Sequence, residues 1–456
     1  MARGKKAAKE LSPEEKLQQA LVPAEEWPYP IPENWCWTTV DKVATVITGG
    51  TPSKKNPEYY GDQFPFFKPT DLDAGRHVIK ASEYLSESGK NVARIIPQES
   101  TAVCCIGSVG KSGYLEIEGT TNQQINSAIP KFNPLYLFYF MNTDNFVNQL
   151  WSKSSATTIS IVNKAKMESC YFPLAPLDEQ QRIVDRIESL FAKLDEAKEK
   201  AQAVVDGFEL RKSAILHKAF TGELTERWRK EHGVGLESWT DTTIGEQAEL
   251  ITKGASPRWQ GVEYTDDKSQ TLFVTSENVR EGYLNFTKEK YLSNKINDIQ
   301  KRSILNYGDV LVNIVGASIG RAAIYNLHQL ANTNQAVCIV RLKPGISNEF
   351  VCTYLNAPIA QSYYYDNKVE TARANISLGS ISAMYINLPT SAEQKEIVDT
   401  LNMALEMEQQ AKEAAEAVLS QIDTMKKAIL ARAFRGELGT NDPAEESAEE
   451  LIKAVL

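Results

Sequence analysis

The chain has 456 residues, 42% of them apolar and 24% charged, with a net charge of −9, which suits a globular protein of more than one domain. Its six cysteines (Cys36, Cys104, Cys105, Cys170, Cys338 and Cys352) include no C-x-x-C pair and only four histidines are present, so no metal site is expected. Scattered free thiols suit a reducing cytoplasm, no apolar run is long enough for a membrane span, and the basic start Met1–Lys6 lacks a signal peptide's apolar stretch.

Residues 1–30 read as a flexible N-terminal tail. The block 31–177 reads as α+β: β-branched runs at 43–47 and 101–106 suggest strands, 64–67 is strand-like, and 136–142 suggests a short helix. Its loops gather Thr51, Ser53, Lys54, Lys55, Tyr59, Lys68, Thr70, Lys111, Ser112, Asn122, Gln123, Gln124, Lys153 and Ser154. Arg and Lys can bridge guanine, Asn and Gln can bridge adenine, and these residues are candidate DNA contacts.

Gly107-Ser108-Val109-Gly110-Lys111-Ser112 invites a phosphate-loop reading, but Cys105 stands where the first glycine is required. A turn offering one cation to a DNA phosphate explains it better. Asn133-Pro134-Leu135-Tyr136 is close to the N-P-P-Y tetrad of amino-methyltransferases, with the third position wrong. Asn as N-cap before Pro at the first helical position accounts for it. No catalytic residues are expected.

Residues 178–232 form a spacer helix. Ile183, Ile187, Leu190, Leu194, Ala197, Ala201, Val204, Phe208, Arg211 and Ile215 step by four and three, the heptad signature of a coiled coil. Asp178 with Gln181 reads as a capping box, and Gly222 as a stop. His217 reads as a helix-surface residue.

The block 233–390 repeats the first faintly, with strands expected at 310–315 and 337–342 and a helix near 349–356. Its candidate DNA contacts are Ser256, Arg258, Trp259, Thr275, Ser276, Asn278, Arg321, Asn334, Gln335, Arg373 and Asn375. Residues 391–438 form a second spacer helix, with Ser391 and Gln394 as its capping pattern and a seam of Ile397, Leu401, Ala404, Ala411, Ala415, Val418, Ile422, Met425 and Ile429 broken by Glu408. Its Glu393–Leu438 stretch aligns without gaps on Glu179–Leu224, with 20 of 46 positions identical. Glu393-Gln394-Lys395 begins this helix, not a nuclease strand. Residues 439–456 are an acidic tail, read as solubilising.

The duplication decides the organisation. Each long helix could pack on its own block, but identical seams in one chain favour pairing. An antiparallel pair would relate the blocks by a pseudo-twofold axis. Residues 34–177 carry 13 basic and 12 acidic side chains, and 233–391 carry 14 and 15. The negative charge is concentrated in the helices and tail, so DNA binding by the blocks is permitted.

Ile31-Pro32-Glu33-Asn34-Trp35, Gly49-Gly50-Thr51-Pro52, the entry Pro173-Leu174-Ala175-Pro176-Leu177 before Glu179-Gln180-Gln181-Arg182-Ile183-Val184, and the exit Ala219-Phe220-Thr221-Gly222-Glu223-Leu224-Thr225-Glu226-Arg227-Trp228-Arg229 resemble the specificity (S) subunits of type I restriction–modification systems over roughly residues 31–438. The second copy departs at Leu388-Pro389, which lacks the second proline, and at Gly439-Thr440. The resemblance implies an α+β fold with two pseudo-repeated target-recognition domains separated by two long helices that pair as an antiparallel coiled coil. Each domain would read half of a bipartite, asymmetric DNA site. The spacer would dock two methyltransferase subunits, which methylate adenine N6, and through them two motor-nuclease subunits. S-adenosylmethionine, ATP and Mg2+ would belong to those partners, and the chain itself would bind no cofactor. Two rival readings are a coiled-coil interaction scaffold without DNA specificity and a standalone modification enzyme.

Overall fold

In the computed structural model, which describes residues 12–155, 160–369 and 374–456, the chain divides into two compact units. Unit one is Met1–Ala201 with Ala417–Leu456, and unit two is Gln202–Glu416.

Among its described residues, unit one has ten strands: β1 (Cys36–Thr39), β2 (Ala44–Thr48), β3 (Tyr60–Gly61), β4 (Phe64–Phe67), β5 (Glu83–Leu85), β6 (Thr101–Cys104), β7 (Ser112–Tyr114), β8 (Thr120–Thr121), β9 (Ile125–Pro130) and β10 (Tyr171–Leu174). They form one sheet in the order β2-β9-β6-β7, a second in the order β3-β5-β4-β8, and the pair β1-β10. In unit two β11 (Thr240–Thr243), β12 (Ala248–Lys253), β13 (Tyr264–Thr265), β14 (Thr271–Val274), β15 (Tyr291–Leu292), β16 (Val310–Asn313), β17 (Ala322–Ile324), β18 (Ala331–Thr333), β19 (Val337–Leu342) and β20 (Tyr385–Leu388) repeat that topology strand for strand. The parallel pairing of β4 with β8 recurs as that of β14 with β18. The sequence blocks that drift in register thus share one scaffold.

The central sheets are buried on both faces, which explains their nearly continuous apolar runs. Along β19, Cys338 and Val340 join one core with the helix Asn348–Asn356, whereas Val337 and Ile339 join a second core with β14. In β6, Val103 faces the core that holds the helix Pro134–Met141, while Ala102 and Cys104 face Phe67 and Leu72. This is the two-residue side-chain period of a strand between two layers.

The long helices carry the second level of order. We label α1 (Pro13–Ala20), α2 (Leu177–Asp206), α3 (Phe208–Thr221), α4 (Ser391–Ala433) and α5 (Glu449–Val455). Within unit one, Arg182 forks onto Glu445 at 2.7–2.8 Å and Asp195 meets Lys426 at 2.5 Å. Within unit two, Arg211 meets Glu408 at 2.7 Å and Arg229 meets Glu393 at 2.7 Å. Phe208 packs with Lys412 and Arg211 pairs with Glu408, so rising numbers on one spacer meet falling numbers on the other and the two run antiparallel. Ile183 and Ile187 are buried with Leu430 and Ala433, and Ile397 and Leu401 with Leu216 and Ala219.

Three expected seam residues face outward: Ala411 is exposed, Val418 is 44% exposed and Met425 is 45% exposed. The half-buried positions there are Lys412, Leu419 and Lys426. Ala415, Ile422 and Ile429 keep their expected seam positions, while the alternate positions shift by one residue, from 411, 418 and 425 to 412, 419 and 426. The displaced positions are filled by lysine stems. Lys412 lies over the Phe208 ring at 4.6 Å, and Lys426 over Phe191 at 5.1 Å, burying methylenes while the ammonium stays wet.

The helix entries also differ from the expected capping boxes. α2 starts at Leu177, and Glu393 N–H donates to Thr390 Oγ1 at 3.4 Å, which makes Thr390 and not Ser391 the cap of α4. Gln180 and Gln394 do the repeated work. Their Nε2 atoms donate to Ala175 and Pro389 carbonyls, and their Oε1 atoms accept from the backbone N–H of Asn133 and Ser347. Beside them sit Glu179 and Glu393, both fully buried, each accepting a tryptophan indole at 2.8 Å, from Trp35 and Trp239 respectively.

The expected tails are in part folded. Residues 1–11 lie outside the described residues. Ser12 and Glu15 cap α1 reciprocally, and Val22 N–H pairs with Trp37 carbonyl at 2.8 Å. At the acidic end, Ala448 and Ile452 are buried in unit one, so residues 439–456 contribute to its core.

Candidate nucleic-acid interface

The candidate residues stand in loops that the backbone brings together. In unit one, Gly49 packs so tightly on the turn after β8 that a Cβ would lie 2.2 Å from Asn122 carbonyl oxygen. Gly50 N–H donates to Thr121 carbonyl at 2.8 Å, and Thr51 Oγ1 donates to Gln123 Oε1. Asn122 N–H reaches Phe67 carbonyl, which brings in Lys68, and Cys105 N–H reaches Gln124 carbonyl at 2.7 Å. Gly107 N–H continues the chain of contacts to Ser160 carbonyl. The loops holding Thr51–Lys55, Lys68–Thr70, Lys111, Asn122–Gln124 and Ser154 therefore form one hydrogen-bonded rim.

Unit two builds the same rim. A Cβ on Gly254 would lie 1.7 Å from Thr333 carbonyl oxygen, Thr333 Oγ1 donates to Val274 carbonyl at 2.8 Å, and Ile314 N–H donates to Ala336 carbonyl at 2.9 Å. Gly316 N–H reaches Ala374 carbonyl. Arg373 lies outside the described residues. Asn375 pairs through its backbone with Val369.

Side-chain burial sorts the candidates. Ser53, Lys54, Lys55, Thr70 and Gln123 are exposed in unit one, as are Arg258, Trp259, Arg321 and Gln335 in unit two. Among the described residues, Lys54, Lys55, Arg258 and Arg321 have no ion-pair partner. Lys68 is held by Glu83 and Lys111 by Asp73. Lys153 lies 5.8 Å over the Tyr171 ring and Ser154 Oγ donates to Trp151 carbonyl. Tyr59 is half-buried, Ser256 carbonyl accepts from Trp259 N–H, and Ser276 carbonyl accepts from Asn313 Nδ2.

Four expected contacts are corrected. Buried Ser112 donates to Asn142 Oδ1 at 2.9 Å, and buried Asn122 accepts the N–H of Gln124. Buried Thr275 and Asn278 bond each other, and Asn278 Nδ2 also holds Asn285 and Lys288 carbonyls. Half-buried Asn334 accepts Ala336 N–H at 3.0 Å. These side chains shape the loops, because a buried polar group must be satisfied inside the protein.

Sequence reasoning missed exposed cations beside the rim. Arg94 Nη1 donates to Thr48 carbonyl at 2.6 Å, and Lys301 and Arg302 follow Gln300, whose Oε1 accepts Ala255 N–H at 2.7 Å. Their only signal was charge, with no loop signature around them. Burial pushes the thiols of Cys36, Cys105, Cys170, Cys338 and Cys352 up to about 12, so at neutral pH they stay protonated packing groups. No helix among the described residues is long and apolar enough to cross a membrane.

Residues 32–205 and 237–417 match the family description "Type I restriction modification DNA specificity domain". Over 433 residues the chain is 24% identical to the type I restriction enzyme EcoBI specificity subunit of Escherichia coli, covering 91% of this chain and 88% of that one. It is 22% identical to the EcoKI specificity subunit of Escherichia coli strain K12, covering 91% of each. The crystal structure of the HsdS subunit from Thermoanaerobacter tengcongensis aligns with a TM-score of 0.66 and 20% identity, over 90% of this chain and 99% of that one.

Proposed function

The chain belongs to the type I restriction–modification DNA specificity family, and from that premise we propose that it is the non-catalytic specificity subunit of a type I complex. Residues 31–177 and 233–390 are its target-recognition domains, each reading half of a bipartite, asymmetric site in double-stranded DNA. Residues 178–232 and 391–438 are the spacer that sets the gap between the halves. The spacer docks two methyltransferase subunits and, through them, two motor-nuclease subunits. S-adenosylmethionine, ATP and Mg2+ act in those partners, and the complex works in the cytoplasm.

One observation carries this reading: a single ten-strand scaffold occurs twice with the same loop rim and different exposed side chains. Unit one offers Ser53, Lys54 and Lys55 where unit two offers Arg258 and Trp259. A common scaffold with divergent rims suits two readers of two different sequences. Free cations at the rims suit phosphate contacts that fix register, while amides and hydroxyls suit base edges.

The test is affinity purification of the tagged chain from its native host, with co-purifying proteins and bound genomic DNA both sequenced. Recovery of an adenine methyltransferase at two copies per chain, with fragments sharing a split motif, is the expected result. Recovery of neither leaves a coiled-coil scaffold and removes the DNA reading.

A further inference from the structure

The two rims share two turns, the glycine turn that carries Lys111 or Arg321 and a turn after β8 or β18, and only the second keeps the same exposed carboxamide in both. After β8, Asn122 Oδ1 accepts Gln124 N–H at 3.0 Å, Asn122 carbonyl accepts Ile125 N–H at 3.1 Å, and Gln124 carbonyl accepts Cys105 N–H at 2.7 Å. After β18, Asn334 Oδ1 accepts Ala336 N–H at 3.0 Å, Asn334 carbonyl accepts Val337 N–H at 3.5 Å, and Ala336 carbonyl accepts Ile314 N–H at 2.9 Å. The asparagine is spent on holding the turn in each case. The glutamine next to it, Gln123 or Gln335, is the residue left exposed. A glycine is pressed against the turn on its other side, Gly49 or Gly254, and a hydroxyl residue followed by proline comes two positions later, Thr51-Pro52 or Ser256-Pro257.

Around this fixed point the chemistry changes. Ser53-Lys54-Lys55 becomes Arg258-Trp259-Gln260, and Lys68-Pro69-Thr70-Asp71 becomes Thr275-Ser276-Glu277-Asn278. A group kept identical in two otherwise divergent readers reads something that the two half-sites share. A carboxamide offers one donor and one acceptor side by side, which matches N7 and the N6 amino group of adenine in the major groove. In unit one, Thr51 Oγ1 donates to Gln123 Oε1. That bond occupies one of the two lone pairs, leaving the second and the amide N–H groups for a base.

We propose that Gln123 and Gln335 are equivalent specificity-determining residues, each reading an adenine present in its own half-site, while the divergent loops read the remaining bases. This rests on the reading of the chain as a DNA specificity subunit.

The experiment is selection from a randomised duplex DNA library by the full chain in complex with its co-expressed methyltransferase subunit, for the parent, Gln123→Leu, Gln335→Leu and Gln123→Glu. Both glutamines are exposed, so the variants keep the fold, and unchanged thermal unfolding checks this. Gln123→Leu should flatten one adenine position in one half-site, a loss of preference on the order of 10- to 100-fold, with the other half-site untouched. Gln335→Leu should do the same in the opposite half. Gln123→Glu should move the preference at that position toward cytosine, whose N4 amino group a carboxylate can accept. If the parent selects a split motif and both leucine variants select it with every position intact, or blur both halves together, the glutamine assignment is wrong while the specificity reading stands. If the parent selects no sequence, the specificity reading itself fails and takes the assignment with it.

Discussion

Glu393→Gln and Glu179→Gln are the same substitution at the same place in two copies of one motif, and they should have very different costs. Both carboxylates are fully buried and both accept a tryptophan indole at 2.8 Å. In unit two, donors reach both oxygens: Arg229 Nη1 at 2.7 Å and Thr225 Oγ1 at 2.8 Å on Oε1, and Trp239 Nε1 on Oε2. A glutamine there must turn its NH2 group toward a donor and leaves the buried Arg229 guanidinium without a counter-charge. Breaking a buried pair by removing one partner costs about 3–5 kcal/mol.

In unit one, Trp35 Nε1 and Asn441 Nδ2 both donate to Oε2, and only the Thr440 hydroxyl, at 3.4 Å, addresses Oε1. Glutamine can keep its carbonyl on the first two donors and give its NH2 to the hydroxyl, which can accept. The cost should be about 1 kcal/mol or less. Urea unfolding with hydrogen exchange read on peptides covering 222–240 and 391–400, against 34–40 and 177–184, separates the two units. Equal costs, or a larger cost for Glu179→Gln, would refute the reasoning.

Burial holds the Glu179 carboxyl above its ordinary value of 4.5. The folded state therefore favours the protonated form, and the stabilisation it gives is complete below the ordinary value and lost as pH rises through the raised one. The stability of Glu179→Gln relative to the parent should accordingly rise with pH across that window; a flat difference, measured by the unit-one unfolding transition, would contradict it. Inserting one heptad after Ala201 and one after Ala415 adds about 10 Å to each spacer helix. The gap between half-sites should grow by up to about three base pairs, with both half-sites unchanged in DNA selection. A changed half-site would mean that ruler and reader are not separate. Replacing Lys54 and Lys55 together by alanine should weaken DNA binding alike for all sequences and reduce the salt dependence by roughly 0.9 in log–log slope per lost phosphate contact. An unaltered slope would take those lysines off the DNA.

The duplication, the strand and helix types and the antiparallel spacer were legible because they rest on periodicity and internal identity, which survive in a single sequence. In the second half of the second spacer only alternate seam positions, Ala415, Ile422 and Ile429, face inward as read. Val418 and Met425 satisfy a strict heptad, but the stripe is continued by the stems of Lys412 and Lys426, which a binary reading counts as polar. The rim was legible as a set of loops, and less so by residue. Ser112, Asn122, Thr275 and Asn278 have the chemistry of base readers, yet their partners are backbone and side-chain groups brought together by β7, β8 and β14. Composition could not separate them from Gln123 or Arg258. The buried Glu179 and Glu393 stand in the charged first turn of a helix, where solvent exposure is the usual outcome, and their indole partners lie more than 140 positions away. The ends were misread because short charged segments look like tails, although Ser12 with Glu15, and Ala448 with Ile452, mark folded helices.

If each globular block reads its own half-site, exchanging one block exchanges one half of the target. In unit one the block opens and closes at the β1–β10 pair, where Cys36 faces Leu174, and in unit two at β11–β20, where Thr240 faces Leu388. Replacing residues 240–388 by a second copy of 36–174 exchanges one reader at its neck and leaves both spacer helices intact. DNA selection by this chain with its methyltransferase subunit should then yield one parental half-site twice. Retention of the parental asymmetric motif, or selection of a single unsplit sequence, would mean that the blocks are not independent readers.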